Sequence, residues 1–96
     1  MTYSFHPEAE LEFLLAIDFY EDKESGLGRD FALEINSTVE RILTYPDAWP
    51  VVEEDIRRSL VKRFPFGVLY SKLEEEIVII AVMHLNREPE YWKTRI

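Results

Sequence analysis

The sequence predicts an α+β fold in the order β-α-α-β-β-β, with two antiparallel helices packed on one face of a small, mainly antiparallel sheet. Three observations carry that prediction. Apolar residues recur at helical spacing twice between residues 7 and 45. Runs rich in β-branched and aromatic residues follow between residues 55 and 84, and only short turn-like segments separate them. Consecutive strands joined by short links form a meander, and a sheet with an apolar face needs a second layer to cover it. Ninety-six residues hold one such domain, spanning 1–96, with no internal repeat or linker.

The elements follow in order. Thr2 to Phe5 alternates polar and aromatic residues and suits a short first strand. Pro7 suits the first position of a helix, where its missing N–H costs nothing, and Glu8, Glu10 and Glu12 complement the helix dipole. Ala9, Phe13, Ala16, Ile17 and Tyr20 give that helix one apolar face, and its carboxylates read as a solvated face. Ser25-Gly26-Leu27-Gly28 breaks the pattern; Leu27, Phe31, Ile35, Val39 and Ile42 restart it, so a second helix follows a short turn. It ends at Tyr45-Pro46, because the residue before proline is disfavoured in the helical region.

Asp47-Ala48-Trp49-Pro50 is a connecting loop in which Trp49 reads as a packing anchor. Asp55 to Arg63 alternates and is expected to face bases to solvent. Phe64-Pro65-Phe66-Gly67 interrupts the pairing, Val68 to Leu73 is the third strand, and Glu74-Glu75-Glu76 is the turn into the last. That last run, Ile77 to Met83, is apolar on both faces and so suits a central strand. Immediately beyond it come His84, Arg87, Tyr91, Trp92, Lys93 and Arg95, a polar and aromatic tip held at a strand end.

Composition narrows the chemistry. There is no cysteine, hence no disulfide framework and no thiol catalysis. Met1 to Glu8 lacks the features of a secretory leader and the longest apolar run is too short to span a bilayer, so a soluble, cytoplasmic protein with no membrane partner is expected. The net charge of −8 argues against nucleic acid, but it is unevenly spread. Residues 1–52 hold eleven acids and three bases, whereas residues 53–96 hold eight of each. Within that second half Arg57, Arg58, Lys62 and Arg63 cluster, as do Arg87, Lys93 and Arg95, leaving room for a basic patch on an acidic body.

Metal sites find no support, with two histidines and no His-x-x-x-His spacing, and no cofactor fingerprint is present. None of the five serines sits on a nucleophile turn. One chemistry remains open: a histidine to move a proton, arginines to hold a phosphate and aromatic rings to stack on bases would suffice for metal-free RNA cleavage. The alternative is that His84 makes a backbone hydrogen bond and that Arg87 and Arg95 pair with the acidic helices.

Gly26-Leu27-Gly28 with Phe31, Tyr45-Pro46, Arg57-Arg58 with Lys62-Arg63-Phe64-Pro65-Phe66, and Ala81 to His84 followed by Arg87-x-Pro89-x-Tyr91-Trp92-x-x-Arg95 form a pattern over nearly the whole chain. That pattern resembles the RelE/ParE family of bacterial toxins, most closely its ParE-like branch, often described as plasmid stabilisation proteins. The resemblance implies the toxin of a type II toxin-antitoxin system. It also implies a cognate antitoxin, partly disordered when free, that folds on binding and completes the open face of the sheet.

Two activities occur on this fold. ParE-like members inhibit DNA gyrase without an established catalytic role, whereas RelE-like members cleave messenger RNA on the ribosome. The acidity of this chain favours the protein target. Under the nuclease alternative His84, Arg63, Arg87 and Tyr91 match the catalytic segments in broad pattern. Arg57, Arg58, Lys62, Arg63, Arg87, Trp92 and Arg95 are the residues expected to bind target or antitoxin. A toxin that has lost activity and survives as a binding module is a third reading.

Overall fold

A computed structural model describes all residues, 1–96. The elements are β1 (Thr2–Phe5), α1 (Pro7–Lys23), α2 (Leu27–Thr44), β2 (Val51–Glu53), β3 (Ile56–Leu60), β4 (Phe66–Lys72), β5 (Glu76–His84) and a final 3-10 turn at Lys93–Arg95. The sheet order is β1-β5-β4-β3-β2, with β1 parallel to β5 and every other pair antiparallel. The meander β3-β4-β5 and the helical pair are as the sequence predicts. The three-residue β2 is an addition: Glu54 takes a left-handed φ of 50° and turns Val51–Glu53 back onto β3.

Local chemistry sets the helix ends. Pro7 occupies the first turn of α1, and the His6 Nδ1 accepts the Glu8 N–H. Gly26 has a φ of 89° where the chain turns between the helices, a conformation that glycine adopts without steric cost. At Gly28 a Cβ would stand 2.6 Å from the Ile17 carbonyl, so only glycine lets α2 approach α1 this closely. The Glu21 carboxylate accepts the N–H groups of both glycines and caps α2.

Phe31, Ile35, Val39 and Ile42 of α2 pack against Val68, Tyr70, Ile77 and Ile79 on one face of the sheet, with Phe13, Ile17 and Tyr20 of α1 alongside. Trp49 packs on the rim of this core, as expected of an anchor. On the other face Ile56, Leu69, Ile80 and Met83 are covered by Trp92, which is 1% exposed, and by Tyr91. The apolar outer face is therefore finished by the chain's own C-terminal segment. This corrects the expectation that an antitoxin completes it: burying an indole intramolecularly incurs no association entropy.

Candidate functional site

Two groups of basic residues flank the sheet. The first forms where β1 stops. The last β1-side hydrogen bond runs from the His6 N–H to the Ile79 carbonyl, and beyond it β5 has no neighbouring strand on that side. A bulge interrupts the β4–β5 register between Leu69 and Tyr70, opposite Ile79–Ala81. The backbone groups left there find side chains instead: the Val82 N–H donates to Glu12 Oε1 at 3.0 Å and Arg95 Nη1 donates to the Ile80 carbonyl at 3.0 Å.

Glu12 is the hub. Its side chain is 14% exposed, and both its oxygens accept from Arg95, at 2.8 and 3.0 Å. The Tyr91 hydroxyl donates to Oε2 at 2.6 Å, and Arg87 Nη1 lies 3.7 Å from the same oxygen. Arg95 also pairs with Glu8 at 3.2 Å. The guanidinium of Arg87 stacks 3.8 Å from the Tyr91 ring centre. Burial pushes the Tyr91 phenol up from its ordinary value and the bond to Glu12 pushes it further, while Arg95 and Arg87 oppose the shift. Arg95 is raised chiefly by its bond to Glu12.

This overturns the reading of the α1 carboxylates as wholly solvated. Glu8, Glu10, Asp18 and Asp22 are exposed, but Glu12 is not. Nothing in the sequence sets Glu12 apart from its neighbouring carboxylates by type. Its one available signal was position: it lies on the border of the apolar face that packs toward the strand end carrying His84.

His84 stands next to this cluster. Its Nδ1 accepts the Asn86 N–H at 3.0 Å, so in the neutral ring Nε2 carries the proton. The ring packs edge-on against Phe66 at 5.1 Å. Together with Glu12, Leu15, Ala16 and Arg87 it lines a shallow cleft of ≈ 240 Å³. Arg63 does not join it. At a φ of 71° it turns toward α2, pairing with Asp30 at 3.4 Å and Glu34 at 4.0 Å. A run of rings, Phe64, Phe31 and Phe66, lies between it and His84. The four residues matched to nuclease segments thus divide into a group of three and one outlier.

The second basic group lies along the edge of β3. Arg41, Arg58 and Lys62 line a cleft of ≈ 380 Å³ with Trp49, Pro50 and Leu60, and no carboxylate contributes to it. None of the ion pairs of the protein involves these three bases. Arg41 donates to the Thr38 hydroxyl at 3.0 Å. Arg57, expected to face outward with them, is turned toward the loop before β2 and donates to the Trp49 carbonyl at 2.6 Å and the Asp47 carbonyl at 3.2 Å. A rigid loop with unpaired carbonyls is a better partner for a guanidinium than water alone. Trp92 and Arg95, two further binding candidates, are likewise committed to the fold, at 1% residue exposure and 8% side-chain exposure respectively.

A third surface was not foreseen. The outer side of α1 carries Leu11, Leu14, Leu15 and Phe19, each between 52% and 59% exposed, with Asp18 and Asp22 among them. This helix is apolar on two sides. No helix of the protein is long and apolar enough to cross a membrane.

Comparison with known proteins bears on the family and the fold. Residues 3–89 match the family model described as the ParE toxin of the type II toxin-antitoxin system parDE. Among solved structures, the chromosomal ParDE toxin-antitoxin system from P. aeruginosa is similar, with a TM-score of 0.65 and 15% sequence identity over 90% of this chain and 97% of the other. At that identity the likeness is one of fold. No curated protein matches the sequence.

Proposed function

From the premise that the chain belongs to the ParE toxin family of type II toxin-antitoxin systems, we propose that it inhibits DNA gyrase by binding, without chemistry of its own, and is neutralised by a cognate antitoxin. The observation that carries this reading is the saturation of Glu12. A phosphate-cleaving site needs arginines free to take up developing negative charge and a proton donor free to reach the leaving oxygen. Here Arg95 and Tyr91 are bonded to Glu12, Arg87 is paired with it, and a phosphate entering the His84 cleft would meet that carboxylate. The unpaired bases lie along β3 instead, where they have no histidine beside them. A net charge of −8 further weakens attraction to RNA.

The antitoxin reading is supported by the outer side of α1. An amphipathic antitoxin helix with Lys or Arg flanking its apolar residues would cover Leu11, Leu15 and Phe19 and meet Asp18 and Asp22. A second copy of this chain would instead set those acids against each other.

The nuclease reading rests on one specific feature: His84 lines a cleft that also holds Arg87. A gyrase supercoiling assay and a ribosome-dependent messenger RNA cleavage assay on the same preparation separate the two. Lost supercoiling with intact RNA is expected. Cut RNA with normal supercoiling, abolished by His84→Ala, would replace the gyrase reading with the nuclease one, and absence of both effects together with unimpaired growth would point to a toxin that has lost activity.

A further inference from the structure

The cleft beside β3 has a backbone wall as well as a charged one. The Arg58 N–H donates to the Pro50 carbonyl at 3.1 Å, so on this strand the N–H of every second residue points to the β2 side. Pro50 has no N–H to return to the Arg58 carbonyl, and β2 begins only at Val51, which pairs with Arg57. The ladder therefore ends there. Two residues further along β3, the peptide groups of Leu60 face an open edge, and Leu60 is 56% exposed.

Around that edge stand Arg41 from α2, Arg58 and Lys62, none of them ion-paired, over an apolar floor made by Trp49, Pro50 and Leu60. An open peptide edge asks for a strand, three free cations ask for carboxylates, and an apolar floor asks for alternate apolar side chains. RNA offers the charge but has no peptide groups to extend a ladder. We propose that the groove between α2 and the open end of β3 binds an extended acidic segment of a protein partner, which adds as a strand beside Leu60 and places its Asp or Glu side chains against Arg41, Arg58 and Lys62. The inference deepens the protein-target reading given above, for which it names the chemistry of the segment recognised.

The test uses a capped hexapeptide alternating glutamate with valine, its lysine-valine counterpart, a form N-methylated at every second amide, and a short single-stranded RNA. Affinity is read by fluorescence anisotropy and site by amide exchange. The glutamate peptide is expected to slow exchange of the Leu60 amide at least tenfold, to bind at least tenfold more tightly than the lysine and N-methylated peptides, and to lose that advantage on an Arg58→Glu, Lys62→Glu variant of unchanged melting temperature. Equal binding of the lysine peptide, unaltered exchange at Leu60, or tighter binding of RNA at the same residues would overturn the proposal. Gyrase inhibition is scored separately. Inhibition without protection of Leu60 removes the strand-addition mode alone, whereas peptide pairing without inhibition removes the gyrase reading alone.

Discussion

Around Glu12, Arg87 and Arg95 are held by a carboxylate and a carbonyl, whereas along β3 Arg58 and Lys62 have no ion-pair partner at all. Both places are rich in arginine and border the same sheet, yet they do opposite things. In the first, β1 ends and β5 continues, and side chains replace the missing strand; the bases there are ion-paired. In the second, β2 ends and β3 continues, and nothing replaces it; the bases there remain available. Residue type does not distinguish a committed arginine from an available one. Whether its charge is already neutralised does.

That contrast breaks most visibly at Glu12. Glu12→Ala leaves Arg95 as a buried cation short of its main partner and frees the Tyr91 hydroxyl, so it should cost about 3–5 kcal/mol of stability. Urea denaturation of the two proteins measures this directly. Arg58→Ala should change stability by no more than about 0.5 kcal/mol. Equal losses at the two positions would erase that distinction. Trp92→Ala belongs with Glu12, since it opens a cavity over Leu69 and Met83, and a loss of about 3–5 kcal/mol is expected in the same experiment.

The next effect is on function. Reversing charge with Arg58→Glu and Lys62→Glu should raise the concentration needed to inhibit supercoiling at least tenfold, about 1.4 kcal/mol, while the melting temperature holds. His84→Ala sharpens the comparison from the other side. It removes one bond to the Asn86 N–H and one edge-on contact with Phe66, so a stability loss of about 1 kcal/mol is expected, with gyrase inhibition retained. Inhibition that disappears in a folded His84→Ala protein would move the site to the Glu12 side.

A separate effect is on pH dependence. Burial pushes the Tyr70 phenol up from 10.0 to about 12, with Arg57 opposing and Asp47 adding to the shift, and its hydroxyl donates to the Pro46 carbonyl at 2.5 Å. The folded state therefore keeps a proton that the unfolded chain releases earlier. The stability linked to it is complete below pH 10 and is lost as the pH rises through about 12. Tyr70→Phe should flatten this decline between pH 10 and 12, measured as denaturation midpoints across that range. Tyr20 and Tyr91, also raised, will leave part of the slope in place.

Much of this was legible in the chain. The four-residue step of Leu27, Phe31, Ile35 and Val39 dictates α2 and its buried face, and Ile77 to Met83, apolar on both sides, places β5 in the middle of the sheet. Pro7 and Gly26 mark the ends of helices for steric reasons that act within a residue or two. β2 was not legible, because Val51-Val52-Glu53 is too short to show a period and depends on the left-handed turn at Glu54. The pairing of Arg87 and Arg95 with an acidic helix was one of the readings open in the sequence, and the structure shows it; the separation of the β3 bases was not legible. Arg57 and Arg58 are adjacent and chemically identical, but alternation sends one toward the Asp47–Trp49 carbonyls and the other to the groove.

The order of elements and the two faces of the central strand were legible in the chain because periodicity and short turn motifs act over local distances, whereas membership of the toxin family rests on the match over residues 3–89. Only the tertiary structure decided which charges are spent. Glu12 and Arg95 are 83 residues apart, and their pairing exists only because β1 stops at Phe5 and leaves β5 two backbone groups to satisfy. An ion pair is a property of distance and dielectric, and neither is written in the order of residues.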